Sequence, residues 1–288
     1  MKFLFKTKEP KSHPTAPADT PVTVPPIFVV GTGRCGTHYF NQIMQASDSI
    51  YPVHMDSMNL DADSFFSFSL WNDLPIDSAA IRRHRHKIIA ACGQAGKIYF
   101  ESNVYMSLAA QLVHEWYGAQ CILLIRRPQD VVNSHFVKGW YEDDYFRDKR
   151  DLIPGFSPDL NANHFFGRLL PKGDEYERWS GLTRIGKISW WVNALNLEVL
   201  KLFEKMPKNS YRIQQVESLD YEAYEELYSN LNVSHPLTQR GFDKIKNSRP
   251  GKGKKIKRSY SWSTKEWSEF IQETKTIHEV FGYTACKE

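Results

Sequence analysis

The sequence is poor in cysteine. Its 288 residues hold four, Cys35, Cys92, Cys121 and Cys286, with neither metal-type pairing nor the density of a disulfide framework. That excludes a disulfide-stapled scaffold and fits a reducing compartment. Long apolar runs are missing too. Nothing in the chain approaches the ~20 residues that a membrane-spanning helix needs, and Met1 to Phe5 is too short for the apolar core of a signal peptide. The expectation is a soluble, cytoplasmic protein without a transmembrane segment. Charge of one sign is not in large excess: 37 Lys and Arg against 33 Asp and Glu leave +4. This mild basic balance favours anionic ligands without calling for nucleic acid. There is no internal repeat. What the chain does have is 41% hydrophobic residues, enough for a core, in a length that suits one large α/β domain or two small ones.

The stretch Ile27 to Phe40 organises the rest. Ile27 to Val30 is an apolar run of the length of a buried parallel strand. Gly31, Gly33 and Gly36 permit a tight turn and leave no side chain where a ligand must approach the backbone. After Thr37, Phe40, Ile43 and Met44 share one face of a helical pattern. Strand, glycine turn and helix together aim free backbone N–H groups and the positive end of a helix dipole at an anion. Gly31 and Gly36 have P-loop spacing, but Thr37 and His38 stand where Lys and Ser or Thr belong. The nucleoside triphosphate kit is incomplete, and the cation, Arg34, lies inside the loop. Cys35 at a helix N-terminus raises a thiolate reading. Cysteine phosphatases, however, carry an arginine six positions later, where this chain has Asn41.

A second unit of the same kind begins at Gln120. Gln120 to Ile125 reads as a buried strand and runs into Arg126 and Arg127, and Pro128 suits the first turn of a helix. Ligands of open parallel sheets gather at the carboxyl ends of strands, so both turns can face one crevice. There Arg126 can grip a phosphate and Ser134 can add a hydroxyl. Arg127 pairs with Asp130 in this reading.

The loop Arg34-Cys35-Gly36-Thr37-His38 resembles the 5′-phosphosulfate-binding loop of sulfotransferases that use 3′-phosphoadenosine 5′-phosphosulfate (PAPS). Arg126 and Ser134, with Pro128 and Asp130 between them, are similar to that family's 3′-phosphate site. Val216-Glu217-Ser218-Leu219 is similar to its Tyr-Glu-Asp-Leu segment. Arg249, Lys252 and Gly253 are the nearest match to its mobile basic segment, although the Gly-Asp-Trp that follows in the family is absent. The resemblance covers roughly Ile27 to Tyr283 and implies an α/β three-layer sandwich around a central parallel sheet, the P-loop-like sulfotransferase architecture. It also implies PAPS as co-substrate and no metal. Arg34, Cys35, Gly36, Thr37, His38, Arg126, Ser134, Lys252 and Gly253 are then the cofactor-binding residues. The reaction implied is sulfuryl transfer to a hydroxyl or amine of a small-molecule, glycan or lipid acceptor.

The base is where the sequence departs from the family. Some members use a histidine after the third strand, where this chain reads Glu101-Ser102-Asn103. Others use a carboxylate after the second, where it reads His54-Met55-Asp56. His54, Glu101 and Asp56, in that order, are the candidates, with Arg34 as the electrostatic catalyst. Two other functions fit the same scaffold: a P-loop nucleotide kinase-like phosphotransferase, and a non-catalytic nucleotide-binding protein.

Around these motifs, residues 1–26 are rich in Pro, Thr, Ala and Lys and read as a disordered leader to a domain spanning 27–288. Ser49 to Val53 and Lys97 to Glu101 read as strands, and Leu60 to Leu74 as an irregular aromatic flap. Ile81 to Ala91 reads as a helix with a solvated basic face of Arg82, Arg83, His84, Arg85 and His86. Tyr105 to Trp116, Ser189 to Lys205 and Tyr221 to Leu231 read as helices, and Tyr211 to Gln214 as the last strand. Residues 138–186 read as an aromatic insertion on the acceptor side. A closing helix, Thr264 to Phe281, would be capped by Thr264 and Gly282.

Overall fold

Two strands whose side chains alternate between two apolar clusters set the architecture. In β1 (Ile27–Val30), Phe28 and Val30 join one apolar cluster while Ile27 and Val29 join another. In β4 (Gln120–Ile125), Cys121, Leu123 and Ile125 face the first cluster, and Ile122 and Leu124 the second. A strand buried on both faces needs helices on both sides of the sheet, and the chain supplies them. The computed structural model describes residues 13–141, 169–231, 233, 237–248 and 261–284, with the side chains of Asp56 and Asp61 excepted.

The sheet is five-stranded and parallel, in the order β2-β3-β1-β4-β5, with β2 Ile50–His54, β3 Ile98–Ser102 and β5 Tyr211–Gln215. On one face lie α1 (Thr37–Met44), α8 (Tyr221–Asn230) and α9 (Gln239–Ser248). On the other lie α2 (Leu60–Trp71), α3 (Ala79–Gln94), α4 (Ala110–Tyr117), α5 (Pro128–Val137), α6 (Glu175–Ser180), α7 (Arg184–Glu204) and α10 (Thr264–Phe281). The result is the three-layer α/β sandwich expected. β1 sends its chain to one face, while its neighbours β3 and β4 send theirs to the other. That reversal opens a crevice at the carboxyl ends of these strands, where an open α/β sheet takes its ligand.

Several local expectations are corrected. Leu60 to Leu74 is not irregular. Most of it is α2, capped by Asn59, whose side chain accepts from Ala62 N–H. The helical period is hidden because small serines, Ser64 and Ser67, are buried beside Phe66 and Phe68 while Phe65 is exposed. The helix expected from Tyr105 is a 3₁₀ helix, Val104–Ala109, before α4 begins. α7 starts five residues earlier than Ser189, capped by Thr183. The cap of α10 is Ser263 rather than Thr264, in a reciprocal box with Glu266.

The described part of the leader, residues 13–26, is largely exposed but tied to the domain at a few points. Ala16 is buried and its N–H donates to Lys87 O (3.0 Å), and His86 Nε2 lies 2.9 Å from Thr20 O. Residues 142–168 of the insertion lie outside the described residues, but its flanks are core. Tyr141 and Trp179 are buried edge to face, and Tyr141 donates to Leu169 O (2.6 Å). Among the described residues, no helix is long and apolar enough to cross a membrane.

Candidate active site

The glycine turn is shaped by what surrounds it. Gly31 has φ +145, and a Cβ there would stand 2.6 Å from Leu124 O on β4. Gly36 has φ +95, and its Cβ would meet Val216 Cγ2 at 2.8 Å. Neither position accepts a larger residue without moving a neighbouring strand or loop. Arg34 adopts φ +55, a left-handed conformation that costs a non-glycine residue roughly 1–2 kcal/mol. Backbone strain of this kind gathers at ligand clamps. Gly36 caps α1 with no side-chain acceptor for the first helical N–H groups. The helix therefore opens on the crevice with donors and a positive dipole end.

The two cation-bearing turns meet. Arg34 Nε donates to Ser134 Oγ (2.8 Å), and Arg126 Nη1 donates to Arg34 O (3.2 Å). The guanidinium of Arg126 thus stands on the glycine-turn side of the sheet. Asp130 pairs with Arg126 (Nη2–Oδ2 3.1 Å), not with the exposed Arg127 as the sequence reading had it. Arg127 contributes its backbone N–H, which donates to Glu217 Oε1 (2.7 Å). Tyr283 donates to the other Glu217 oxygen (2.9 Å), and Val216 N–H donates to Ile125 O (2.9 Å). The segment Val216-Glu217-Ser218-Leu219 is thereby held against both turns. Burial, then the charge of Arg126, lowers the Arg34 pKa from its ordinary value. Two such cations held side by side favour an anion between them.

Cys35 is no nucleophile. Its side chain is buried in the cluster under α1, and burial pushes the thiol up to about 12. Only its backbone N–H remains for a ligand. His135, which sequence reasoning passed over, is wholly buried next to Ser134. Its Nε2 donates to Thr32 O (3.2 Å), and Trp140 and Trp191 enclose its ring. Burial and the nearby Arg34 charge lower its pKa to about 3. The unfolded chain binds a proton below the ordinary 6.5 that the folded chain refuses until about 3, so stability is lost as pH falls through this window. The loss over the whole window is about 5 kcal/mol from this one group, of which about 3 kcal/mol is reached by about pH 4. His135→Gln is expected to flatten it, as measured by urea unfolding at about pH 7 and about pH 4.

The three base candidates separate. His54, at the end of β2, stacks on His38 of α1 with ring centroids 4.2 Å apart, beside the glycine turn. Asp56 follows in a 3₁₀ turn, Met55–Ser57. Glu101 is corrected: its carboxylate is fully buried and accepts from Arg85 Nε (3.0 Å) and Nη2 (2.7 Å), Tyr99 OH (2.6 Å) and Asn103 Nδ2 (2.8 Å). Burial opposes its ionisation, but the Arg85 charge and these hydrogen bonds outweigh it and hold the carboxyl below its ordinary value. A carboxylate so occupied has no lone pair to offer a substrate. Arg85 itself, expected on a solvated face, is 1% exposed. Its guanidinium is shared between Glu101 and Asp63. The missed signal was Asp63, a carboxylate in an apolar segment. Lys252, Gly253 and Arg249 lie outside the described residues. Among the described residues, no group of three or more His, Cys, Asp or Glu could hold a metal.

No protein-family model and no curated protein matches the sequence. Solved structures do. The crystal structure of sulfotransferase STF9 from Mycobacterium avium matches with a TM-score of 0.53 over 92% of this chain and 79% of that one, at 11% identity. The chain has the sulfotransferase fold. The sulfotransferase domain of the Synechococcus PCC 7002 olefin synthase (TM-score 0.47, 12% identity, 96% and 98% covered) and that of the curacin biosynthetic pathway (0.47, 13%, 91% and 98%) are more distant matches. In this sulfotransferase fold the glycine turn after β1 and the Arg126–Ser134 segment after β4 border one crevice.

Proposed function

We propose that this protein is a sulfotransferase that moves a sulfuryl group from PAPS to a hydroxyl or amine of an acceptor. The observation that carries the reading is the joining of the two turns through Arg34, Ser134 and Arg126. Two anion sites within one crevice suit a ligand with two phosphates, such as an adenosine bearing phosphates at both the 3′ and 5′ positions. A nucleoside triphosphate would need the lysine and hydroxyl that Thr37 and His38 replace.

PAPS supplies the phosphosulfate anhydride. Backbone N–H groups of Cys35, Gly36, Thr37 and His38 hold the 5′-phosphate end. Arg126 and Ser134 hold the 3′-phosphate, with Lys252 and Gly253 as further candidate contacts. Arg34 stabilises charge on the leaving oxygen. It cannot readily give up a proton, so its help is electrostatic. His54, braced by His38, takes the acceptor proton at the crevice mouth, with Asp56 as the alternative base.

The test is incubation with radiolabelled PAPS and extracts of the source organism, together with calorimetry against adenosine 3′,5′-bisphosphate. Label transfer and bisphosphate binding are the expected results. His54→Ala is expected to lower transfer by about 10²–10⁴-fold and leave bisphosphate affinity unchanged. The sequestration of Glu101 favours a second reading, a nucleotide-binding protein without transfer. Bisphosphate binding with no labelled product from any extract supports that reading instead. Binding of ATP with magnesium, but not of the bisphosphate, rejects the PAPS site and points to the phosphotransferase instead.

A further inference from the structure

The buried network around Arg85 does not end at Glu101. Its hub is Asn103, itself wholly buried. Asn103 Nδ2 donates to Asp63 Oδ2 and to Glu101 Oε1, both at 2.8 Å. Two carboxylates can only accept, so the amide has one orientation, with Oδ1 turned away from them. That oxygen accepts from Tyr105 N–H (3.0 Å) and caps the 3₁₀ helix Val104–Ala109. The Asn103 backbone N–H donates to Val29 O (3.1 Å), which ties the same residue to β1.

The capped helix carries the supports of the glycine turn. Ser107 Oγ accepts from Gly31 N–H (2.8 Å) and lies 2.9 Å from Gly31 O. Val104 backs Gly33, its Cγ1 3.6 Å from where a Cβ would stand. From Arg85 through the two carboxylates to Asn103 each link is a buried hydrogen bond; from there the backbone of the capped 3₁₀ helix leads to Ser107, whose hydroxyl is hydrogen-bonded to Gly31. A turn built on three glycines has little stiffness of its own. Its N–H groups point reliably only if something outside the turn fixes them.

We infer that Asn103 is a positioning residue for the phosphate-binding turn, acting through Ser107 on the backbone of Gly31 to Gly36. The Arg85 ion network exists at this place to fix the Asn103 amide. The ligand half of this inference rests on the proposed PAPS site, whereas the turn's rigidity does not.

Two readouts keep these apart. The first is amide hydrogen exchange of the segment 27–40 without ligand. Asn103→Ala and Ser107→Ala are each expected to speed exchange at Gly31 about tenfold or more, with exchange in α8 and β5 unchanged. Asn103→Ser, which keeps a cap acceptor, is expected to fall between wild type and Asn103→Ala. The double variant should exchange no faster than the worse single one, because both act through one chain of contacts. The second readout is calorimetry with adenosine 3′,5′-bisphosphate, where both single variants should bind about tenfold more weakly. Wild-type exchange at Gly31 in Asn103→Ala, or in Asn103→Ser if the alanine variant does not fold, overturns the inference. Faster exchange together with no bisphosphate binding by the wild type upholds the positioning and rejects the PAPS reading.

Discussion

Arg85→Ala is expected to lower the stability of the folded chain by about 3–5 kcal/mol. Whole domains are stable by only ~5–15 kcal/mol, so little folded protein should remain at raised temperature. Arg85 makes four hydrogen bonds, two to Asp63 and two to Glu101, all within a site closed to solvent. Removing the guanidinium leaves two carboxylates facing each other without water or a cation. Arg85→Lys should recover only part of the loss, since an ammonium cannot present the fork that reaches both carboxylates. The contrasting variant replaces Arg85, Asp63 and Glu101 together by Met, Leu and Leu. Because no charge is left unpaired, it is expected to lose less than Arg85→Ala alone, although the buried Asn103 amide and Tyr99 hydroxyl then lack their acceptors and keep it below wild type. Urea unfolding checks the series. A triple variant no more stable than Arg85→Ala would show that shape, not charge, holds this region.

If the chain performs the proposed sulfuryl transfer, Arg34→Gly and Arg34→Ala are both expected to cut it by about 10²–10³-fold, the usual cost of losing one preorganised charge at a developing anion. Comparing the two separates charge from backbone. Arg34 sits at φ +55, which glycine accepts freely and alanine does not. If the loss is electrostatic, the two variants should share one turnover while Arg34→Gly melts higher. Arg34→Lys is expected to recover part of the rate. A transfer rate for Arg34→Gly within a few-fold of wild type would remove Arg34 from the chemistry. Steady-state rates at saturating PAPS, with melting curves beside them, decide it.

How much of this was legible in the sequence follows from how local each signal is. Ile27 to Phe40 and Gln120 to Ser134 were readable as strand-turn-helix units because apolar runs, glycines and Pro128 act on their own neighbours. α2 was not readable, because Asp63, Ser64 and Ser67 face inward while Phe65 faces solvent, so the apolar residues do not mark the buried face. The cap of α10 was missed by one residue for a smaller reason: Ser263 and Thr264 are both good caps, and only the reciprocal bonds with Glu266 choose between them.

The candidate site divides the same way. The glycine turn, the parallel α/β sheet and the placing of Arg34, Arg126 and Ser134 at two neighbouring strand ends were legible from short-range pattern. Which carboxylates and histidines face the crevice was decided only by tertiary structure. Glu101 looked available in a line of text and is consumed by Arg85, sixteen residues away; His38 and His54, as far apart, stack on each other. Sequence pattern fixes what a segment does with its own backbone, whereas the charge state and reach of a side chain depend on neighbours that only the closed sheet brings together.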